Sequence, residues 1–275
     1  MDNIEVSIIM GIYNCAKYLD ESINSILNQT YKKWELIMCD DGSIDETYRI
    51  AKSYEEKYKN KIIVLKNEKN MGLNYTLNKC LELARGKYIA RQDGDDISES
   101  DRIEKEVNFL NNNFQYALVS TNMSYFDDNG IWGHSNSKEI PSKNDFIKGS
   151  PFCHAPCMIR KKVLSEVGRY TVDSKLLRVE DYHLWFKIYA KGYVGYNIQE
   201  PLYKMRDDND AYIRRNWKNR INEARVRFIG YKMLKLPIYS YIYCLRPIVL
   251  FFLPSKLYLV LHKKNKKEES KDEKI

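Results

Sequence analysis

The first 92 residues alternate apolar runs with segments of helical spacing, and no other feature restricts the fold as tightly. Val6-Ser-Ile-Ile-Met-Gly-Ile-Tyr13 is nearly all apolar, as a central strand buried on both faces must be. Tyr18 to Leu27 places Leu19, Ile23, Ile26 and Leu27 on one helical face. Trp34 to Cys39 predicts a second strand and Ile62 to Leu65 a third. Ser43 and Glu46 have capping-box spacing and predict a helix from Ser43 to about Lys59. Tyr75 to Ala84 reads as the next helix, with Gly86 at the position past its end. Tyr88, Ile89 and Ala90 make the fourth strand. This alternation predicts an α/β domain: a Rossmann-like, mostly parallel central sheet with right-handed crossovers and helices on both faces.

In such a sheet, ligands bind beyond the carboxyl ends of the strands. Three polar clusters fall at those ends: Tyr13-Asn14, Asp40-Asp41 and Asp93-Gly-Asp-Asp96. Alone, the last is either a solvated turn or a site for a hard divalent cation, which takes oxygen ligands. A cation would also relieve the repulsion of three carboxylates within four residues. Convergence of all three clusters on one rim favours the cation, with Asp93 and Asp95 spaced D-x-D to turn toward one ion. Asp96 then reads as part of the turn.

After Asp96 the pattern changes. Asp101 to Asn112 predicts a helix, Ala117 to Phe126 a strand, and Asp127 to Gly130 a hairpin turn. Ile131 to Ser150 reads as loop. A short strand is expected over Ala155–Ile159, and helices over Lys161–Val167 and Tyr182–Ala190. Gly195–Ile198 and Leu202–Met205 read as two short strands. Tyr212 to Leu234 predicts a long basic helix with Ile213, Trp217, Ile221 and Phe228 facing inward. The expected organisation is a catalytic domain over 1–210, halved at residue 97, then a helical segment over 211–262 and a charged, disordered tail over 263–275.

Charge follows that division. Residues 211–275 hold 16 Lys and Arg against 5 Asp and Glu, a balance of +11, while residues 1–210 total −3. Leu236 to Leu261 is strongly apolar, with only Arg246 and Lys256 as charges, but carries Pro237, Pro247 and Pro254. The prolines argue against a straight span. Interfacial attachment with basic flanks on anionic lipid is the favoured expectation, and packing into a core or a true span remain open. Nucleic acid is not an expected partner, because a lipid-facing or solvated surface explains the basic residues. The six cysteines show no paired framework, and Cys153-x3-Cys157 lacks two further zinc ligands at suitable spacing. No secretory leader is visible, so a cytoplasmic location at the inner face of the cell membrane is expected.

Six stretches now stand in order: Ser7 to Asn14, Asp40-Asp-Gly-Ser-Ile-Asp45, Asn70-Met-Gly72, Ala84-Arg-Gly-Lys-Tyr-Ile89, Asp93-Gly-Asp-Asp96 and Glu180-Asp181. Over roughly residues 4–206 the chain resembles a family-2 glycosyltransferase with the GT-A fold. Arg91 to Ile97 with Arg102, and His154-Ala-Pro156 before Glu180 to Trp185, resemble the bacterial exopolysaccharide and capsule branch, including amylovoran-type transferases. Gly94 stands where that family often has Ala. The resemblance implies an inverting transferase that moves a sugar from a nucleotide-diphosphate sugar, expected to be a UDP-sugar, to a lipid-linked oligosaccharide. It implies Mn2+ or Mg2+ on Asp95 and Asp93. Tyr13, Asn14, Asp40, Asp41 and Asp93 would bind the donor nucleotide, and Asp181 would be the general base. His154, Glu180 and Trp185 would lie on the acceptor side, and Asn74 and Arg102 would make donor or loop contacts.

Read without the resemblance, each residue has a plainer role. Asp41 could shape a turn, Asp181 could cap a helix, and Tyr13 could be a core aromatic. Two other functions also use such a chain. A nucleotidyltransferase joins an α/β sheet to acidic metal ligands but favours a Gly-rich phosphate loop, which Met10-Gly-Ile-Tyr-Asn14 is not. A non-catalytic, membrane-bound binding partner would need no metal.

Overall fold

The computed structural model describes residues 4–207 and 216–252. The expected disordered tail over 263–275, the apolar stretch after residue 252, and the start of the basic helix with Ile213 lie outside them. Strand β1 (Val6–Ile12) lies between β2 (Trp34–Asp40) and β4 (Tyr88–Arg91), parallel to both, and β3 (Ile62–Lys66) lies outside β2. Nearly every residue of β1 and β2 is buried, which is why their sequences are continuously apolar. Alternate side chains serve two cores. Ile9, Ile37 and Ile89 pack under α3 (Leu73–Leu83), α5 (Lys161–Glu166) and α6 (Glu180–Ala190). Ile8, Met10, Leu36 and Met38 pack under α1 (Ala16–Leu27) and α4 (Arg102–Asn112). Each such side chain contributes about 1.5–3 kcal/mol through burial.

Two local expectations change for steric reasons. Gly86 is not a helix cap. Helix α3 ends at Leu83, and a β-carbon on Gly86 would lie 2.5 Å from the Ser7 amide nitrogen. The glycine lets the chain pass against β1, where the fully buried Glu35 gathers Ser7 Oγ (2.6 Å) and the Arg85 amide (2.8 Å). The Ser43–Glu46 capping box does not form. Helix α2 runs Thr47–Lys57 with no side-chain cap, because Ser43 accepts a hydrogen bond from the Asn14 amide (3.0 Å) and Glu46 pairs with Arg49.

The sheet continues from β4 through antiparallel β8 (Met158–Arg160) to β6 (Tyr116–Asp127), β9 (Val194–Arg206) and β5 (Ile97–Ser98). The two strands expected over 195–198 and 202–205 are one, β9. It stays in the sheet because irregular register near Asn122 absorbs Pro201. Part of the expected loop after residue 130 is a strand, β7 (Gly130–His134), paired with the outer half of β6. Met158 faces both Ala90 and Val119, so β6 from Ser120 onward, with β7 and the end of β9, stands above the carboxyl end of β4.

Helix α7 (Trp217–Leu234) packs on α6 through Asn222, Val226, Arg227, Gly230, Tyr231 and Leu234. Trp217 and Phe228, expected to face inward, are 42% and 56% exposed. Residues 238–245 form a 3-10 helix and Arg246–Phe251 form α8; both fold back along α7, bringing Phe251 to Trp217 and Tyr241 to Phe228. Ile238, Ile242, Leu245, Val249 and Phe252 remain exposed. No helix of the described residues is long and apolar enough to cross a membrane.

One buried charge makes stability depend on pH. Glu106 of α4 is fully buried and neither carboxyl oxygen has a partner. Burial pushes its carboxyl up to about 8 against the pull of Arg102. The folded chain therefore holds a proton that the unfolded chain releases above the ordinary glutamate value near 4.5. The folded state binds more protons between those values, so stability falls as pH rises from about 4.5 to about 8. Glu106→Gln mimics the protonated form and should unfold like wild type near pH 4. At pH 7 it should be more stable by about 3 kcal/mol. Urea unfolding of both proteins at the two pH values checks this; a gap that does not grow with pH defeats it.

Candidate active site

Parallel register brings the ends of β1, β2 and β4 side by side, as the sequence implied. Tyr13 stands at the rim, 48% exposed. Asn14 follows in the left-handed region (φ 48°). Its Oδ1 accepts from the Ile44 amide (3.0 Å), which ties the β1 end to the loop after β2. Asp40 is fully buried. One oxygen accepts from the Ser43 amide (3.3 Å) and the other, Oδ1, has no partner. Asp41 is held from three sides: Oδ1 accepts from Asn67 Nδ2 and the Met71 amide (both 2.8 Å), and Oδ2 from the Gly72 amide (2.9 Å). A carboxylate has about four acceptor positions, so Asp41 is fixed in orientation and retains capacity for one more donor.

The turn after β4 is built as carefully. Gln92 is fully buried, and its Nε2 donates to the Asp96 carbonyl (2.9 Å). The carboxylate of Asp96 accepts from the Arg206 amide (2.8 Å), and burial first, then Asp93 and Asp95, push its carboxyl well above the ordinary range. Arg206 itself lies between the rings of Tyr18 (3.8 Å) and Phe126 (4.4 Å). Arg102, fully buried, donates to the Arg91 carbonyl (3.0 Å) and stacks near Tyr203. It supports the turn from behind and cannot meet a donor. Asn74 is likewise buried and donates to the Thr171 carbonyl (2.9 Å), joining α3 to the loop before α6.

Gly94 has a reason specific to this chain. A β-carbon there would lie 2.9 Å from Cys15 Sγ and 3.0 Å from Ile12 Cγ2. Gly94→Ala, although it matches the common family residue, should push the Asp93–Asp95 turn outward and raise the donor KM about tenfold. Cys15→Ala in the same protein should recover most of that loss, because Cys15 starts α1 without a side-chain cap to lose. Equal donor KM in wild type and Gly94→Ala sinks the steric account.

The residue that sequence reasoning missed is Arg91. It is buried at the end of β4, and its guanidinium grips Asp93 with two hydrogen bonds, one of 2.9 Å from Nη1. Its charge also reaches His154, Glu180 and Asp181. The available signal was a charged residue closing an apolar strand, two before Asp93 and so on the same face.

Helix α6 opens with Glu180 and Asp181, after Arg178 in the left-handed region (φ 69°). Asp181 is partly exposed. Desolvation first, and the neighbouring Glu180 second, push its carboxyl up to about 7. Burial also raises Glu180, whose Oε2 is buried without a partner. His154 bonds Tyr170 Oη through Nε2 (2.8 Å), and burial, with Arg91, holds it neutral. Trp185 is wholly buried edge-on beneath His154, with ring centroids 5.9 Å apart. It therefore supports His154 and does not face an acceptor.

The chemistry of this set fits a base poised near neutrality beside a fixed carboxylate rim. Among the described residues no three His, Cys, Asp or Glu side chains are grouped to hold an ion by themselves. Asp93 and Asp95 nevertheless supply hard oxygens, and magnesium-type sites commonly join one or two carboxylates to substrate phosphates. Burial is the main reason Asp96 is raised, and the smaller repulsion from Asp93 and Asp95 is what a cation would relieve.

The comparisons agree with this geometry. The chain is 44% identical to the protein EpsE of Bacillus subtilis (strain 168), over 96% of each chain. It is 31% identical to the UDP-Gal:alpha-D-GlcNAc-diphosphoundecaprenol beta-1,3-galactosyltransferase of Escherichia coli, over 84% of this chain and 85% of that one. The fold matches S. aureus TarS 1–349 in complex with UDP-GlcNAc at TM-score 0.63 and 20% identity, over 91% of this chain and 82% of that one. This is the mixed α/β architecture of GT-A glycosyltransferases. The family model "Glycosyl transferase family 2" matches residues 7–168, from β1 through the carboxylate rim to just past α5, and the chain therefore belongs to glycosyl transferase family 2.

Proposed function

We propose that the chain is an inverting glycosyltransferase that moves a sugar from a UDP-sugar to a hydroxyl of a lipid-linked oligosaccharide in surface polysaccharide synthesis. The observation that carries this reading is Asp181, partly open at the start of α6, with its carboxyl raised toward neutrality. Ionised, it takes the proton of the acceptor hydroxyl. The acceptor oxygen then attacks the anomeric carbon while the bond to the diphosphate breaks, and that electron pair leaves with the nucleoside diphosphate. One displacement inverts the centre. Tyr13 would stack on the base, Asp41 would accept from its edge, and Asp40 and Asn14 would lie by the ribose. Arg91 holds Asp93 in orientation through its two hydrogen bonds. Mn2+ or Mg2+ held by Asp95 and Asp93 would supply neutralising charge for the leaving diphosphate.

The E. coli relative is named for a UDP-sugar donor and a diphosphoundecaprenol-linked acceptor, which supports both substrate classes. A peripheral position at the inner membrane face suits such an acceptor. The exposed Ile238, Ile242, Leu245, Val249 and Phe252 support it, as does the +11 balance of residues 211–275. Family membership favours this reading over a nucleotidyltransferase. The test is incubation with a panel of nucleotide sugars, Mn2+ and a GlcNAc-diphosphate alkyl lipid, with the released nucleotide identified. Nucleoside diphosphate is expected; pyrophosphate, or no release with any donor, sinks the proposal.

A further inference from the structure

We propose that Trp132, stacked on Tyr125, is the platform on which an acceptor sugar ring rests while its hydroxyl meets Asp181. This rests on the glycosyltransferase reading above and assigns its acceptor side. The first support is level. The outer half of β6 and the end of β9 stand above the end of β4, and Tyr203 of β9 accepts from the Asp93 amide (3.0 Å). Met123 pairs with Tyr203, and Tyr125 with Met205. Tyr125 thus lies one pleat farther out, on the same face.

The second support is composition. Met123, Tyr125, Ala155 and Tyr203 form a small apolar cluster apart from the two main cores, with Trp132 and Cys153 packed against it. Trp132 lies across Tyr125 with centroids 5.4 Å apart and planes 23° apart. Trp132 is only partly buried, and its neighbour Ile131 is 54% exposed. A hairpin outside the main cores needs no such ring to hold them together. A rigid, amphipathic indole does suit a pyranose, which offers an apolar C–H face and a polar hydroxyl edge.

The third support is direction. The rim carboxylates lie at the ends of β2 and β4, whereas Trp132 lies across β8 from them. Cys153, in its cluster, precedes His154, and His154 reaches α6 through Trp185. The segment that carries Cys153 and His154 thus joins the Trp132 cluster to α6, the helix that Asp181 opens.

Trp132→Ala and Trp132→Phe test this, using the UDP-sugar that gives the fastest release and the GlcNAc-diphosphate alkyl lipid. In Trp132→Ala the acceptor KM should rise roughly tenfold, the scale of one aromatic stacking contact. Donor KM, slow donor hydrolysis and melting temperature should stay at wild-type values, and Trp132→Phe should recover most of the acceptor affinity. An unchanged acceptor KM in Trp132→Ala overturns the proposal. So does a loss shared by donor and acceptor with a lowered melting temperature, which marks a structural role. Absence of release by the wild-type chain would instead overturn the glycosyltransferase reading.

Discussion

Asp181→Asn protein should bind donor as wild type does and turn over roughly 10²–10⁴-fold more slowly, the usual range for a lost general base. The change keeps the shape of the side chain and removes its capacity to take a proton. It should leave the helix intact, because α6 is held by Tyr182, Trp185 and Phe186 in the core and the amide oxygen of Asn can still accept at the helix start. On the proposed reading, donor affinity would depend on the rim at Asp40, Asp41, Asp93 and Asp95, which other elements carry. The expected signature is therefore a fall in kcat with an unchanged dissociation constant for the nucleotide sugar, measured by product release and calorimetry. A kcat within tenfold of wild type would remove Asp181 from the chemistry.

The pH profile carries the same assignment with a sign. Only ionised Asp181 can act as base, and burial with Glu180 pushes its carboxyl up to about 7. Activity should therefore rise with pH through about 7 and be small at pH 5. The Glu180→Gln protein lacks the nearby negative charge that disfavours ionisation of Asp181. Its activity limb should move to lower pH. A limb that stays in place, or moves upward, means that Glu180 does not act on Asp181.

The sequence revealed what periodicity and chain order can carry. Buried strands are legible because both faces of β1 and β2 need apolar residues, and the rim follows because parallel strands share one carboxyl end. Placement of Asp181 beyond that rim came from family resemblance, since an acidic residue starting a helix is ordinarily a cap. The local signal for Arg91 was its place two residues before Asp93, but its reach to the group around α6, about 90 residues away, could not be read from the sequence. Gly86 read as a helix end and Gly94 as a departure from the family's usual Ala; the structure places the Ser7 amide and Cys15 Sγ beside them. The outward turn of Trp217 and Phe228 was missed for a related reason. Helix α7 buries Asn222, Arg227 and Gly230 in place of large apolar residues, so hydrophobicity pointed to the wrong face.

Gly230 yields the second large effect. By helix propensity alone, Gly230→Ala in the interior of α7 should stabilise by about 1 kcal/mol. Packing reverses the sign. A β-carbon at 230 would lie 2.2 Å from Cδ2 and Cε2 of Phe186. That ring is fully buried and enclosed by Phe146 (5.0 Å), Tyr182 (4.5 Å) and Tyr231 (6.1 Å), so it has nowhere to move. Overpacking of this kind costs about 1–3 kcal/mol and sometimes more; with rigid rings on every side, about 3 kcal/mol is expected. The melting temperature should fall by roughly 6–12 °C. The loss should reach the active site, because α7 also holds the loop before Asp181: Asn222 donates to the Leu177 carbonyl (3.2 Å). Shrinking the ring with Phe186→Leu in the Gly230→Ala protein should restore part of both stability and activity. Such recovery would mark the clash, and not the lost glycine, as the cause. A Gly230→Ala protein that melts at or above wild type would show that α7 sits farther from α6 than this packing requires.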